Sequence, residues 1–264
     1  MYKDALFDVE GVCFSYGGST VLDGVTLKID AGNFYTIVGP NGCGKTTLID
    51  ILVGNKSPAL GSVKYLGHDI NRYKKRDLAR QIALVPQESH SYLEFTAEEI
   101  VIMGRHPYIP RFSAPSAMDL QILDHIMAQT GIDGLRGRCI TDLSGGERQR
   151  VSFVRALAQK TPVLVLDEAT SNMDIQYTLA LLNIVSERVR LENGTVIAVM
   201  HDLGLASLYS DRLIFMKNGR IFSEGATDVV LTEENIREVF NVDSRIYFDA
   251  YSNSKQPIFK GGRK

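Results

Sequence analysis

The chain has no tryptophan, only three cysteines among its 264 residues, and almost no net charge. Cys13, Cys43 and Cys139 are widely separated and odd in number, which argues against a disulfide framework or a zinc site and indicates a reducing compartment. The formal net charge of −2 argues against a protein that coats nucleic acid. No apolar run is long enough to span a bilayer, and the amino terminus lacks the apolar core of a signal peptide. A function at a membrane would therefore need another chain to provide the span.

What the sequence does contain is a glycine-rich stretch, residues 39–47, that matches the pattern G-x-x-x-x-G-K-[ST] at every defined position. The apolar run Phe34–Val38 before it predicts a buried strand. The apolar residues between Leu48 and Val53 recur at helical spacing, with Gly54 as a stop. A strand, a glycine turn and a helix start gather backbone N–H groups at the positive end of a helix dipole. The predicted anion-binding residues of this phosphate loop are Gly39, Asn41, Gly42, Cys43, Gly44, Lys45, Thr46 and Thr47.

Two side chains of the phosphate loop have chemical roles that their types suggest. Lys45 would reach the β- and γ-phosphates of a nucleotide as a point charge, and the Thr46 hydroxyl would ligate Mg²⁺. Glycine in the turn would let phosphate oxygens approach the backbone closely. A glycine turn that binds nothing is the alternative, and the flanking strand and helix argue against it.

The amino-terminal third also predicts short antiparallel strands. Leu6–Tyr16 and Val21–Ile29 are the first two, and the second alternates apolar and polar residues with the period of a half-buried strand. A further strand-and-turn region covers Gly61–Ile70. Tyr16 lies at the edge of the first turn, where a core or surface position is the ordinary fate of a tyrosine and a ligand contact is the alternative.

A chain of 264 residues can form a large core with a smaller lobe, and the residues 88–142 predict such a lobe. The brief strand Ala83–Val85 precedes Gln87, which could ligate Mg²⁺ or orient water, although a single glutamine is a weak signal. Beyond it, helices are separated by proline and glycine, and capping patterns at Thr96–Glu99 and Ser116–Asp119 mark two helix starts.

The signature segment, Leu143–Glu147, opens another helix. Ser144 and Glu147 have the spacing of a capping box, which is a sufficient structural explanation for those two residues. Gly145 and Gly146 lower helix stability, which indicates that something approaches the backbone there. The segment is therefore a second helix start suited to receive an anion.

Two further strands end in polar residues. The continuous apolar run Pro162–Leu166 predicts a central parallel strand, and it leads into Asp167 and Glu168. Carboxylates at such an edge lie where α/β proteins bind ligands: Asp167 could hold Mg²⁺ through water and Glu168 could polarise an attacking water, with helix capping as the alternative. The strand Thr195–Met200 leads to His201, either an ordinary hydrogen-bonded histidine or a γ-phosphate contact.

The carboxyl-terminal part predicts a hairpin, a helix and a tail. Leu213–Met216 and Ile221–Phe222 flank an Asn218-Gly219 turn. A short helix covers Ile236–Phe240, and the polar residues 251–264 predict a solvated tail.

Taken in order, these motifs resemble the nucleotide-binding subunit of ATP-binding cassette (ABC) transporters, from Tyr16 to about Gly225. The segments that carry the resemblance are the phosphate loop, Gln87, Leu143–Glu147, Asp167-Glu168, Ser171–Asp174 and His201. The resemblance implies an α/β fold: a P-loop NTPase core with a mostly parallel sheet, an N-terminal antiparallel β subdomain and an inserted α-helical lobe. The expected layout is one domain over 1–250, with the core in 1–87 and 143–250 and the lobe in 88–142.

The resemblance also implies roles for residues. Tyr16 would stack on adenine, Gln87 would link Mg²⁺ and water to the helical lobe, Glu168 would be the catalytic base and His201 the switch histidine. The expected cofactors are ATP and Mg²⁺. Nucleotide contacts are further implied for Ser144, Gly145, Gly146, Glu147 and Asp174, and metal contacts for Thr46, Gln87 and Asp167.

The family resemblance implies partners as well. Two copies would bind two ATP head to tail, each ATP between one phosphate loop and the signature segment of the other copy. The lobe and the Q-loop at Gln87 would contact an integral-membrane permease on the cytoplasmic face of the inner membrane, with a separate substrate-binding protein and no nucleic acid. Met103–Tyr108 resembles a segment of metal-chelate importers. The alternatives are a soluble cassette ATPase that acts on DNA or ribosomes, another transporter class such as an exporter, and a P-loop kinase.

Overall fold

A computed structural model describes residues 5–87, 94–171 and 173–261. The strands, in chain order, are β1 (Phe7–Tyr16), β2 (Ser19–Ile29), β3 (Phe34–Val38), β4 (Leu60–Tyr65), β5 (His68–Asp69), β6 (Ile82–Val85), β7 (Val163–Asp167), β8 (Thr195–Val199), β9 (Arg212–Lys217), β10 (Arg220–Ala226), β11 (Ser244–Asp249) and β12 (Ser254–Phe259). The helices are α1 (Lys45–Leu52), α2 (Lys75–Leu78), α3 (Ala97–Ile102), α4 (Ala117–Gln129), α5 (Gly145–Ala158), α6 (Ile175–Glu192), α7 (Leu203–Tyr209), α8 (Thr227–Val230) and α9 (Glu233–Phe240). They belong to two compact units, the first formed by Met1–Tyr73 with Asn193–Lys264 and the second by Lys74–Glu192.

The first unit contains a four-stranded antiparallel sheet in the order β2-β1-β4-β5. In β2, Val25, Leu27 and Ile29 are buried, whereas Thr26 and Lys28 between them are exposed. Side chains of a strand alternate between its two faces, so this pattern leaves one face on the core and the other in solvent. The predicted N-terminal antiparallel subdomain is confirmed.

The same unit contains the parallel strands that lead to the phosphate loop. All five residues of β3 are buried, and β3 pairs in parallel with β8 and with β9. A strand covered on both faces is apolar at successive positions, which explains the continuous run Phe34–Val38. β10 returns antiparallel to β9 through Asn218 and Gly219, whose φ angles of +50° and +75° are those of a tight hairpin turn. The predicted parallel core and hairpin are confirmed.

The carboxyl-terminal residues include a strand, so the predicted solvated tail over 251–264 is wrong for 254–259. β12 pairs with β11 along its whole length. Ser254 is buried, and Lys255 Nζ donates a hydrogen bond to the Asp228 carbonyl oxygen at 2.6 Å. The strand is held mainly by its pairing with β11 and by hydrogen bonds, and it buries little apolar surface. The sequence therefore lacks the apolar periodicity that would have predicted a strand. The last three residues of the predicted tail lie outside the described ranges.

The second unit contains a parallel pair of strands and the three longest helices of the described residues, α4, α5 and α6. β6 pairs with β7 in parallel. The predicted helix starts at Thr96 and Ser116 are confirmed, because both side chains form complete capping boxes at the first turns of α3 and α4. Of the predicted lobe 88–142, residues 88–93 lie outside the described ranges and the remainder contains both helices. Because the second unit extends on either side of this segment, the bounds of the lobe remain a prediction.

A buried ion pair joins three segments of the second unit. Arg105, 7% exposed, donates from Nε to Asp119 Oδ1 at 2.9 Å and from Nη1 to the Ala158 carbonyl oxygen at 3.0 Å. Its guanidinium carbon lies 4.1 Å from the centroid of the Tyr108 ring. The hydrogen bond from Ser116 and, after it, the bond from Arg105 lower the pKa of Asp119. The loop after α3 is thereby attached to α4 and α5.

Candidate functional site

The turn between β3 and α1 is the phosphate loop identified in the sequence. Helix α1 begins at Lys45 with Gly44 as its N-cap, and among the described residues no side chain caps it and no acidic residue lies in its first turn. The β9–β10 turn supports the loop, since Gly219 N donates to the Cys43 carbonyl oxygen at 3.1 Å. An uncapped helix start offers backbone donors and the positive end of the dipole. The local geometry suits an anion.

Two glycines of the phosphate loop are required by packing. A Cβ at Gly39 would lie 2.3 Å from the Met216 carbonyl oxygen, and a Cβ at Gly44 would lie 2.9 Å from the Val21 carbonyl oxygen. Backbone oxygens have little freedom to move aside, and Gly44 also has a φ of +103° that favours glycine. The close approach of phosphate is the explanation that the sequence suggests for these glycines. The structure adds a second explanation at Gly39 and Gly44, which is packing against backbone oxygens of the fold.

The two side chains of the loop with predicted chemical roles, Lys45 and Thr46, differ in exposure. Lys45 is 5% exposed, and its Nζ donates to the carbonyl oxygens of Gly39 at 2.9 Å and Pro40 at 3.1 Å. Those bonds hold the ammonium group within the loop that is expected to receive phosphate. Thr46, the next residue, is exposed at the first turn of α1.

The remaining residues of the loop contribute mainly through the backbone. Asn41 and Gly42 are exposed at its tip, and Thr47 is buried on the inner side of α1. The Cys43 thiol is buried, and burial raises its pKa. A buried thiol with a raised pKa is a poor nucleophile and metal ligand, so a role for Cys43 through its N–H remains the expectation.

Tyr16 ends β1 in the same unit and is 49% exposed. Its ring packs edge-on against Phe14, with centroids 4.9 Å apart and an interplanar angle of 76°. Lys56 Nζ lies 5.5 Å from the Tyr16 centroid, and a hydrogen bond to the Asp50 carboxylate raises the pKa of Lys56. A partly exposed aromatic ring suits stacking on a base. No sequence pattern indicated Lys56, because the position of a cation over an aromatic ring depends on the fold.

His201 follows the end of β8 and is exposed. β8 is the parallel neighbour of β3, with Val199 opposite Ile37, and Met200 N donates to the Ile37 carbonyl oxygen at 3.3 Å. The carboxyl ends of parallel neighbours meet at one edge of the sheet, which is where α/β proteins bind ligands. The structure therefore brings His201 to the edge from which the phosphate loop departs. Asp202 beside it caps α7 with its side chain.

In the second unit, the ends of β6 and β7 bring Gln87 and Glu168 into contact. Gln87 Nε2 donates to Glu168 Oε2 at 2.6 Å. Asp167, the last residue of β7, is 4% exposed. Glu168 has a φ of +49°, a left-handed conformation unusual for a residue with a long side chain. The structure thus places a carboxylate, a second carboxylate and an amide at one strand edge.

The signature segment forms the capped start of α5. The Ser144 side chain accepts from Glu147 N, and Ser144 N donates to Glu147 Oε2 at 2.8 Å. This bond from the Ser144 backbone is the main cause of the lowered pKa of Glu147, with a smaller contribution from Arg138, whose Nη1 lies 3.2 Å from Glu147 Oε1. A Cβ at Gly145 would meet nothing within 4 Å. Packing among the described residues does not require that glycine, and the approach of another molecule to the backbone there stays a prediction.

Asp174 lies just before α6, and Thr178 N donates to its carbonyl oxygen at 3.0 Å. Its side chain is exposed. The segment Ser171–Asp174 includes Asn172, which lies outside the described residues. Ser171 connects it to the strand edge at Glu168, because its Oγ donates to the Glu168 carbonyl oxygen at 2.9 Å.

Two residues of α5 were not singled out by the sequence. Gln149 is buried and bonds to the backbone on both sides of the Gln87–Glu168 pair. The guanidinium carbon of Arg150 lies 3.8 Å from the centroid of the Tyr177 ring on α6. Both contacts join segments distant in sequence, so no local pattern could reveal them.

The predicted site residues therefore fall into one group in each unit. The first unit carries Tyr16, residues 39–47 and His201, and the second carries Gln87, Ser144, Gly145, Gly146, Glu147, Asp167, Glu168 and Asp174. Over the described ranges, every helix is too short or too polar to cross a membrane.

A phosphate loop on an α/β core, with a second glycine-opened helix start and a strand edge lined by carboxylates, defines a nucleotide-binding protein of the P-loop class. Residues 22–171 match the family model described as ABC transporter. The chain belongs to the ABC transporter family.

Several relatives are similar over most of the chain. It is 36% identical over 240 residues to the ferric enterobactin transport ATP-binding protein FepC of Escherichia coli, covering 91% of this chain and 89% of the relative. It is 39% identical over 220 residues to the hemin import ATP-binding protein HmuV of Nocardia farcinica, covering 83% and 75%. Identity to the cobalamin import ATP-binding protein BtuD of Halobacterium salinarum is 40% over 239 residues, which cover 90% of this chain but only 59% of that longer relative.

Solved structures share the fold. One described as a metal-chelate type ABC transporter in an inward-facing conformation matches with a TM-score of 0.82 at 25% identity, over 98% of both chains. A nucleotide-free ATP-binding cassette from an ABC transporter matches with a TM-score of 0.74 at 25% identity, over 90% of this chain and 95% of that one. The predicted fold class is thereby confirmed.

Proposed function

We propose that this chain is the ATP-binding and ATP-hydrolysing subunit of an importer of metal chelates of the siderophore, haem or cobalamin kind. The names of the relatives support import of such ligands. Hydrolysis rests mainly on one observation, the hydrogen bond between Gln87 and Glu168 beside the buried Asp167 at the ends of two parallel strands.

Nucleotide binding falls to the first unit. Backbone N–H groups at the start of α1 surround the phosphates, and Lys45 offsets the charge on the β- and γ-phosphates. Tyr16, half exposed at the end of β1, stacks on the adenine ring. His201 contacts the γ-phosphate from the end of the neighbouring strand β8.

Hydrolysis is carried out by the carboxylate edge of the second unit. Glu168 accepts a proton from water as the water oxygen bonds to the γ-phosphorus, and the bond from that phosphorus to the bridging oxygen breaks to leave ADP and phosphate. The Nε2 group of Gln87 bonds to Glu168 at 2.6 Å. Its amide oxygen is then directed away from that carboxylate and can orient the water.

The predicted metal residues fit Mg²⁺ by their donor chemistry. Thr46 supplies a hydroxyl, Gln87 an amide oxygen and Asp167 a carboxylate, and oxygen ligands are those this ion prefers. When bound, Mg²⁺ neutralises charge between the β- and γ-phosphates. Asp167 is held at the buried end of β7, so its carboxylate has a fixed position for this task.

The partners follow from the two separate anion-suited helix starts. Two copies bind two ATP head to tail, each ATP between the phosphate loop of one copy and the signature segment of the other, where Gly145 leaves the backbone open. The helical lobe and the Q-loop at Gln87 contact a permease, and the subunit is peripheral on the cytoplasmic face of the inner membrane. A separate binding protein delivers the ligand.

Recovery of the chain with nucleic acid in place of an integral membrane protein would contradict this assignment.

Two variants test the enzymatic part. Glu168→Gln should retain ATP binding and lower turnover by about 100-fold or more, as expected for loss of a general base. Lys45→Ala should abolish nucleotide binding, because the loop loses its fixed cation. Both are checked by phosphate release and by titration with a fluorescent ATP analogue, with Lys64→Ala as a surface-lysine control. Unchanged turnover in Glu168→Gln would remove Glu168 from the role of base.

A further inference from the structure

Gln149 is a buried polar residue on the second turn of α5, the helix that the signature segment opens. It is 5% exposed, and its Nε2 donates to the carbonyl oxygens of Ala169 at 3.2 Å and Pro86 at 3.4 Å. A side-chain amide has two N–H donors, and these contacts account for both. Burial of such a group is favourable only when its hydrogen bonds are made.

The two acceptors have a specific place in the chain. Pro86 immediately precedes Gln87, and Ala169 immediately follows Glu168. The side chains of Gln87 and Glu168 are themselves hydrogen-bonded at 2.6 Å. One buried amide therefore joins the backbone on both sides of the pair that carries hydrolysis in the proposed function.

We propose that Gln149 is a positioning residue for ATP hydrolysis, which fixes the Gln87–Glu168 pair relative to the signature helix. Glu168 has a φ of +49° and leaves the regular path of β7. A residue in that conformation keeps its place only when its surroundings hold it. Through its two hydrogen bonds, Gln149 connects α5 to the backbone next to Glu168 and helps to hold that conformation. A shift of the α5 start at Ser144 would therefore also move Glu168. The proposal rests on the proposed function of this edge.

The chain offers a matched control on the same helix. Gln159, the C-cap of α5, also donates from Nε2 to two carbonyl oxygens, those of Ile82 at 3.1 Å and Ala79. These acceptors lie at and before the amino end of β6, away from Gln87. Each of the two glutamines thus donates to two backbone carbonyl oxygens, and they lie at opposite ends of one helix. Of the two, Gln149 is the one that reaches the strand edge with Gln87 and Glu168.

The test compares Gln149→Met with Gln159→Met in the full chain. Methionine keeps the length of the side chain and removes both donors. Gln149→Met should lower kcat for ATP by about 10- to 100-fold, the effect of a small displacement of reacting groups, and leave the KM and the affinity for a fluorescent ATP analogue within about twofold. Both variants should lower the midpoint of urea unfolding by similar amounts, because each loses two hydrogen bonds. Gln159→Met should keep the kcat of the unmodified chain.

Each outcome decides the matter. Equal kcat values for the two variants would overturn the positioning role, since loss of buried hydrogen bonds would then affect stability alone. If Gln149→Met does not fold, Gln149→Asn, with the same amide on a shorter side chain, should give a kcat below that of the unmodified chain, and an unchanged kcat would overturn the proposal. Absence of hydrolysis by the unmodified chain together with its permease would instead contradict the proposed function.

Discussion

Glu168, the base of the proposed hydrolysis, departs from the local backbone preference of its residue type. Its φ of +49° costs conformational energy that a glycine in its place would not pay. The Ser171 hydroxyl and backbone N–H both donate to the Glu168 carbonyl oxygen, at 2.9 Å and 3.2 Å. These bonds turn the chain directly after β7, and the Glu168 carboxylate accepts the hydrogen bond from Gln87.

Asp119 provides a stability prediction at the scale of one residue. Its side chain and that of Arg105 are 9% and 8% exposed, and they form a charge-assisted hydrogen bond. Asp119→Asn leaves the guanidinium buried without its counter-charge, so the free energy of unfolding at pH 7 should fall by about 3–5 kcal/mol. Urea unfolding measures the difference. Asp124→Asn is a matched control, since Asp124 is 64% exposed and its ion pair with Arg136 should contribute about 1 kcal/mol or less.

The same carboxylate gives the loss a pH dependence. The pKa of Asp119 is lowered in the folded chain, first by the bond from Ser116 and then by Arg105. The unfolded state therefore binds the proton more tightly, and the stabilisation is present above the unfolded pKa and is lost as pH falls through the folded pKa. The difference between the unmodified chain and Asp119→Asn should shrink below about pH 4. A difference that stays constant down to pH 2 would contradict the ion pair.

Part of the candidate site could be predicted from residue types at fixed spacing. The buried side chains that bridge distant segments could not be predicted in this way. Lys45, Thr46 and Ser144 belong to patterns within a few residues of one another, so their local setting could be predicted. Gln149 contacts a backbone oxygen 63 residues away, and Arg105 one 53 residues away. Such contacts depend on how helices pack, which composition and periodicity do not specify.

At the scale of elements, the first turn of α5 combines an observed structural role, the capping box, with a proposed functional one. Ser144→Arg removes the cap and puts a long cation beside Gly145, where the structure leaves open space. We expect a stability loss of about 1 kcal/mol from the cap, intact ATP binding by the first unit, and loss of hydrolysis. Phosphate release and nucleotide titration check this.

Ser116→Arg is the matched control for that variant. Ser116 forms the same capping box at α4, outside both groups of site residues. The Ser116→Arg variant should retain hydrolysis, and its stability loss should be at least as large, because Ser116 also donates to the buried Asp119 carboxylate. Normal turnover in Ser144→Arg would show that the signature segment does not complete a nucleotide site.

Elements were predictable where their signals were local. The Asn218-Gly219 turn, the capping boxes and the buried run of β3 all carry their own pattern. β12 does not, because its six residues Ser254–Phe259 mix polar and apolar types and depend on pairing with β11. A strand whose hydrogen bonds come from a distant partner strand is the case that sequence periodicity misses.

At the scale of the whole molecule, the proposed function gives the two groups of residues complementary tasks. The first unit carries the phosphate loop and Tyr16, the aromatic ring proposed to stack on adenine. The second unit carries Glu168, the proposed general base, and the signature segment. The proposed dimer uses both anion-suited helix starts of each copy. ATP then shifts the equilibrium between separate and joined copies by contacts that exist only in the joined state, and hydrolysis removes them.

The mass of the Glu168→Gln variant in solution, with and without saturating Mg-ATP, tests this account most directly. Static light scattering on a size-exclusion column should give twice the mass of the chain with ATP and a single copy without it. Adding Ser144→Arg to the same variant should return it to a single copy, whereas adding Ser116→Arg should leave the dimer intact. A nucleotide-loaded Glu168→Gln variant that stays a single copy, alone and with its permease, would contradict the shared site.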